Sequence, residues 1–255
     1  MTRVVKLGGR VQSDAALPSA LATAWRASVG GLVVVHGGGD ELTTLMRQLG
    51  SEPTFVGGRR VTSAQDLDLV RMVLSGSANK RLVARLSSGG LRAVGISGED
   101  GGLLSATVAP GAPLGRVGEH ITAQPTLIQD LLATGWLPVI SPLGVDADSM
   151  DHAPLNLNGD DAATAIAIGV QAAELLLVAD VPGVLVDGVP VPSLLYDDAL
   201  DLMERGVASA GMAAKLQAGY HALTHGVVRV RIGDLTSLTN PASGTVLLPP
   251  GTAAH

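Results

Sequence analysis

The stretch Leu32-Val33-Val34-Val35-His36-Gly37-Gly38-Gly39-Asp40-Glu41-Leu42 most constrains what this chain can become. A β-branched run without polar alternation fits a strand covered on both faces, as in a parallel sheet. Residues 41–49 then show helical periodicity with Asp40 as the expected N-cap, so three glycines fill a strand-to-helix turn. Such a turn brings bare backbone N–H groups and the positive end of a helix dipole to one point, which suits an anion. A tight turn that merely needs glycine dihedrals explains the glycines equally well, so the rest of the chain has to decide.

The same pattern opens the chain. Val4-Val5-Lys6-Leu7-Gly8-Gly9 reads as a strand ending in a glycine pair, with a helix over 15–28 before the next strand. Two parallel strands place these turns on one sheet edge, where open α/β folds bind ligands. A glycine-containing hairpin is expected over 55–62, a helix over 64–74 capped by Ser63, and a helix over 79–86. A strand at 93–96, turns and short strands over 103–117, a helix at 126–133 and a buried strand at 137–140 come next. Polar residues 156–161 precede an Ala-rich helix; a strand at 174–178, helices at 196–205 and 211–225, and strands at 227–232 and 244–248 complete the pattern. This alternation predicts a three-layer αβα sandwich with an open, mostly parallel central sheet. At 255 residues it suffices for one large domain or two closely packed lobes, and no long linker interrupts it.

Composition narrows the function classes. Trp25, Phe55, Trp136, Tyr196 and Tyr220 are the only aromatic residues, too few for base-stacking surfaces, and a net charge of -6 without a basic run argues against nucleic-acid and membrane-surface partners. There is no cysteine for disulfides or thiolate metal sites. The polar Lys6-Leu7-Gly8-Gly9 interrupts any secretory signal core, and the longest apolar region, 162–186, is broken by Gln171, Glu174 and Asp180; a cytoplasmic protein is expected. No Gly-Lys pair of a Walker loop occurs, and Leu42 stands where a dinucleotide fingerprint requires its third glycine. His221 and His225, four apart without a nearby third ligand, read as a solvated helix face, and Asp146, Asp148 and Asp151 as a solvated loop; no metal-ligating residues are assigned.

Of the 17 basic residues only Lys6, Lys80 and Lys215 are lysine. A lysine inside a short buried strand is costly unless its ammonium meets an anion or an open cleft, and Lys6 sits beside Gly8 and Gly9. Lys215 follows Gly211 near a helix start, where exposure alone would account for it.

Lys6-Leu7-Gly8-Gly9, Val35-His36-Gly37-Gly38-Gly39, Arg60-Val61-Thr62, Met72-Val73-Leu74-Ser75-Gly76 with Asn79-Lys80, Gly95-Ile96-Ser97-Gly98, Asn156-Leu157-Asn158-Gly159-Asp160-Asp161, Ala179-Asp180-Val181-Pro182-Gly183-Val184 and Gly211-Met212-Ala213-Ala214-Lys215 follow in order. In that order and spacing they resemble the amino acid kinase (carbamate kinase-like) family across nearly the whole chain. The resemblance implies an N-terminal lobe over 1–170 that binds an acyl amino acid and dimerises, and a C-terminal lobe over 171–255 that binds MgATP. It implies that Lys6 and Lys215 neutralise the phosphoryl group in flight and that Asp160 holds both. Gly9, Gly37 and Gly38 would donate N–H groups, and Arg60 and Asn156 would grip the substrate carboxylate. Gly8, Gly9, Asp180 and Gly183 would join the two lysines around the nucleotide.

The implied reaction is ATP- and Mg2+-dependent phosphorylation of the side-chain carboxylate of N-acetyl-L-glutamate, in arginine biosynthesis. Phosphoryl transfer requires positioning and charge neutralisation more than covalent work, and two lysines with backbone donors suit it. One rival is a sister kinase acting on α-aminoadipate or glutamate linked to an acidic carrier protein. Docking such a carrier needs a basic patch, for which only Arg59, Arg60, Lys80 and Arg81 cluster in sequence. A non-catalytic sensor on the same fold would be expected to lack Lys6, Lys215 or Asp160. Some relatives use an extra N-terminal helix to link dimers into an arginine-sensitive ring. Five residues precede Lys6 here, so a homodimer without arginine inhibition is expected.

Overall fold

The computed structural model describes residues 1–110, 113–208 and 210–252. Its centre is an eight-stranded sheet of β1 (Arg3–Leu7), β2 (Leu32–His36), β3 (Ala93–Ser97), β4 (Leu137–Ser141), β5 (Glu174–Val178), β6 (Ser193–Leu194), β7 (Arg229–Gly233) and β8 (Thr245–Leu247), in the order β6-β8-β7-β5-β1-β2-β4-β3. Every neighbouring pair runs parallel except β7 with β8. The helices are α1 (Leu17–Ala27), α2 (Gly39–Gln48), α3 (Ala64–Arg71), α4 (Asn79–Ser88), α5 (Thr126–Ala133), α6 (Gly159–Gly169), α7 (Tyr196–Glu204) and α8 (Ala210–Thr224).

Because strand side chains alternate, β1 sends Val4 to one face and Val5 and Leu7 to the other. Val4, Val33, Val35, Leu175 and Leu177 pack against Ala162, Ala163 and Ile166 of α6 and Leu216 and Tyr220 of α8. Val5, Leu7, Val34, Leu176 and Val178 pack against Leu17 and Leu21 of α1 and Leu82 and Leu86 of α4. This is the expected αβα sandwich, with an almost wholly aliphatic core. No helix of the described residues is long and apolar enough to cross a membrane.

A second sheet, in the order Pro154–Asn156, Leu143–Asp146, Leu104–Val108, Gly118–Ala123, flanks the C-terminal edge of the first. Of the 103–117 segment, read as turns and short strands, 104–108 joins this sheet, and positions 111 and 112 lie outside the described residues. The hairpin Phe55–Val56 and Arg59–Arg60 turns through Gly57 and Gly58, whose φ of 57° and 79° a side chain would resist. Two local expectations shift. Helix α2 starts at Gly39 with Gly38 as its N-cap, which puts Asp40 in the first turn, where its charge still meets the dipole. The helix expected over 64–74 ends at Arg71 and passes through a π-helical stretch, Met72–Ala78, directly into α4. The wider turn brings Ser75 Oγ to 2.7 Å from Ser141 Oγ, a tertiary contact invisible to helical periodicity.

Candidate active site

The alternation that buries Val4 also sends Lys6 to the face where α6 begins. Asn158 caps that helix, its Oδ1 accepting the N–H groups of Asp160 at 2.8 Å and Asp161 at 3.3 Å. Asp160 then lies between two ammonium groups: Lys6 Nζ is 2.9 Å from Oδ1, and Lys215 Nζ, from the N-terminal part of α8, is 3.1 Å from Oδ2. The Asp160 carboxylate is 5% exposed. Burial alone would push its pKa up, but the charges of Lys6 and Lys215 outweigh that and hold it below the usual aspartate range. Burial lowers Lys6 against the opposing pull of Asp160, and Lys215 adds to the lowering. Gly159 leaves the lysine its path, since a Cβ there would sit 3.2 Å from Lys6 Cε.

Two cavities open around this triad. One of about 340 Å3 is lined by Lys6, Gly8, Gly9, Asp180 and Lys215. The other, about 180 Å3, is lined by Gly37, Gly38, Phe55, Arg60, Asn156 and Gly159. Arg60 is buried beneath the hairpin, its Nη2 2.9 Å from Gly39 O and 2.6 Å from Thr43 Oγ1, its guanidinium 4.8 Å over the Phe55 ring. Burial lowers its pKa, with Asp66 and Asp40 opposing. Asn156 donates from Nδ2 to Thr62 Oγ1 at 2.9 Å, which aims it from the second sheet into the smaller cavity.

The glycine turns divide into two kinds. Gly8 N–H bonds Val178 O and Gly37 N–H bonds Leu7 O, so the sheet consumes both; Gly37 therefore shapes the cavity and does not offer the N–H expected of it. No acceptor among the described residues takes the N–H of Gly9 or Gly38. At Gly38 a Cβ would lie 2.5 Å from Leu74 Cδ2, so a side chain there would displace the end of Leu74 from the π-helical stretch. Residues that sequence reasoning missed hold this turn. His36 is fully buried; its Nδ1 bonds Gly37 O at 2.8 Å and its Nε2 takes the Asn79 Nδ2 at 3.0 Å, while Gln12 Nε2 also donates to Gly37 O. Burial lowers His36 and keeps it neutral, which suits that pairing. The only available signal was a histidine ahead of glycines.

The remaining candidates separate. Asp180 is exposed at the rim of the larger cavity and pairs with Arg10, whereas Gly183 lies outside the cavity lining and packs on Thr245. The sequence-clustered cations form no patch: Arg60 is buried, Arg59 pairs with Glu119 and Asp161, Lys80 bonds Gly95 O at 2.8 Å, and Arg81 pairs with Glu41. Asp146 corrects the solvated-loop reading: it is 6% exposed, accepts from Asp148 N–H, and lies 3.6 Å from Arg116. His221 and His225 stack with ring centroids 4.1 Å apart on an exposed helix face.

Free N–H donors in the turns after β1 and β2 and two ammonium groups lie near the starts of α2 and α6, so the cleft is built to receive an anion with a mobile charge. The description of the amino acid kinase family matches residues 1–234, and the chain belongs to that family. Among curated relatives, the acetylglutamate kinase of Chloroflexus aurantiacus is 40% identical over 92% of this chain and 92% of its own. That of Geobacillus stearothermophilus is 41% identical over 91% of this chain and 89% of its own. A crystal structure from Streptococcus mutans UA159 superposes with a TM-score of 0.86 at 27% identity, covering 96% of this chain and 98% of that one.

Proposed function

We propose that this protein transfers the γ-phosphoryl group of ATP to the side-chain carboxylate of N-acetyl-L-glutamate, producing an acyl phosphate in arginine biosynthesis. The observation that carries the reading is the Lys6–Asp160–Lys215 triad between two cavities, one large enough for a polyphosphate end and one lined by Arg60. The relatives' names point to the same acceptor. In the transfer, an acceptor carboxylate oxygen bonds Pγ while the bond from Pγ to the bridging oxygen breaks, and the electron pair stays on ADP. No proton has to move.

Lys6 and Lys215 then counter the charge on the equatorial oxygens, and Asp160 keeps the two ammonium groups from repelling each other. Gly9 and Gly38 donate their free N–H groups to the passing phosphoryl oxygens. Arg60, held by Gly39 O and Thr43 Oγ1, binds the substrate α-carboxylate through its charge and its remaining N–H groups, with Asn156 beside it. Gly8, Asp180 and Val181 border the nucleotide. The donor set fits ATP: the Lys6 and Lys215 ammonium groups and Gly9 line the larger cavity. Mg2+ would come with the phosphates, which with water supply most of its ligands, and would spread the charge of the leaving group.

In this reading residues 1–170 form the acceptor-binding lobe of a cytoplasmic homodimer and 171–255 the nucleotide lobe, closing about the triad. With Arg59 and Arg81 ion-paired and Arg60 buried, Lys80 alone of the four cations is exposed without an acidic partner among the described residues, which favours a small acceptor over an acidic carrier protein. A coupled assay for ADP release with N-acetylglutamate, N-acetylaminoadipate, aspartate and carbamate tests it. Turnover highest with N-acetylglutamate is expected, and preference for any other acceptor overturns the assignment.

A further inference from the structure

Arg10 follows Gly9 directly and opens the short 3-10 turn Arg10–Ser13. It lines the nucleotide-side cavity and also an adjoining groove of about 330 Å3 beyond Gly9 and Gly38. Its Nη1 lies 2.7 Å from Asp180 Oδ2 on the loop after β5, so the pair spans the mouth of the cavity. The two side chains are 78% and 54% exposed. A pair this exposed is worth little, because water screens it and two side chains must be ordered to keep it. A polyphosphate offers several charges and oxygen pairs that match a guanidinium fork, so it outcompetes one exposed carboxylate. Lys6 and Lys215 are both bound to Asp160, which leaves Arg10 as a cation at this cavity free to follow the nucleotide.

We infer that Arg10 leaves Asp180 when nucleotide enters and bonds the β- and γ-phosphate oxygens, Asp180 being the counter-ion that holds it in the nucleotide-free protein. The inference rests on the kinase reading above. As the bond from Pγ to the bridging oxygen breaks, negative charge collects on the β-phosphate of ADP. Arg10 neutralises that charge from within the chain, the task an arginine finger performs in other phosphoryl-transfer enzymes.

The test is calorimetric titration of the protein, Arg10→Ala and Asp180→Asn with AMP and with ADP, without acceptor, alongside kcat for each. Arg10→Ala should weaken ADP binding about tenfold or more, leave AMP binding unchanged and lower kcat. Asp180→Asn should tighten ADP binding, because the competing carboxylate is gone. A pair that only braces two loops would lower the melting temperature equally in both variants and move AMP and ADP affinities together, and that result overturns the inference. Wild-type protein that binds neither nucleotide instead overturns the kinase reading itself.

Discussion

Lys6 and Lys215 reach the same carboxylate from opposite sides, at 2.9 and 3.1 Å, although 209 positions of chain separate residue 6 from residue 215. If both act on charge that develops in transfer, Lys6→Ala and Lys215→Ala should each lower kcat by about a hundredfold or more while changing either KM far less. Near-normal turnover in both variants would show that the triad only holds the fold. Arg60 makes a different kind of contact. Its fork is already anchored to Gly39 O and Thr43 Oγ1, so Arg60→Lys should raise the KM for the amino acid by about tenfold and leave the KM for ATP near its starting value. A defect confined to ATP would move Arg60 to the nucleotide. Lys6 was legible in the sequence because a charge inside a buried strand demands an explanation, whereas Lys215, which exposure alone would explain, was marked only by its motif. His36, Asn79, Gln12 and Arg10 were not legible, since their roles depend on partners that the chain brings close only by folding.

At the scale of elements, the site depends on how α6 begins. Asn158 bonds two of the otherwise unpaired N–H groups of the first turn, and that turn carries Asp160. Asn158→Ala should cost about 1 kcal/mol in urea denaturation and lower kcat, with Asn158→Ser recovering most of both. Equal stability of the alanine variant would mean that packing of the buried Ala-rich face holds the helix without its cap. The π-helical stretch Met72–Ala78 is the element that propensity could not reveal. Its residues carry an ordinary helical pattern, and the contacts it makes, Ser75 with Ser141 and Leu74 with Gly38, join segments far apart in the chain. Strands 118–123, 143–146 and 154–156 of the second sheet were likewise hidden, because three to six residues carry too little periodicity, while 104–108 fell in the segment read as turns and short strands.

At the scale of the whole molecule, the edge of the sheet opposite the cleft has its own charged cluster, in which Glu174 accepts from Arg3 at 2.7 Å and from Arg231 at 2.7 Å, with Arg231 only 1% exposed. Burial pushes Glu174 up, but hydrogen bonds and charge from Arg231 and Arg3 prevail and hold it below its ordinary 4.5. His36 is held below its ordinary 6.5 by burial. For both groups the unfolded chain binds protons more readily, so each contribution is complete above the unfolded value and is lost as pH falls through the folded one. The urea midpoint should therefore decline as pH drops below 6.5 and more steeply below 4.5, and Glu174→Gln should flatten the lower limb; a midpoint independent of pH would contradict this. Hydrophobic period and turn chemistry are local, so they sufficed for the layering, a mostly parallel sheet and the glycine turns at one sheet edge, but not for the antiparallel pairing of β7 with β8 or the two-residue strand β6. The sequence by itself also marked Lys6, Asp160 and Lys215 through their motifs. Only tertiary structure decided which N–H groups remain free, that Asp146 is buried, and that Arg10 meets Asp180 across the cavity. Those outcomes depend on the distance between segments far apart in the chain, which strand register and helix packing set together.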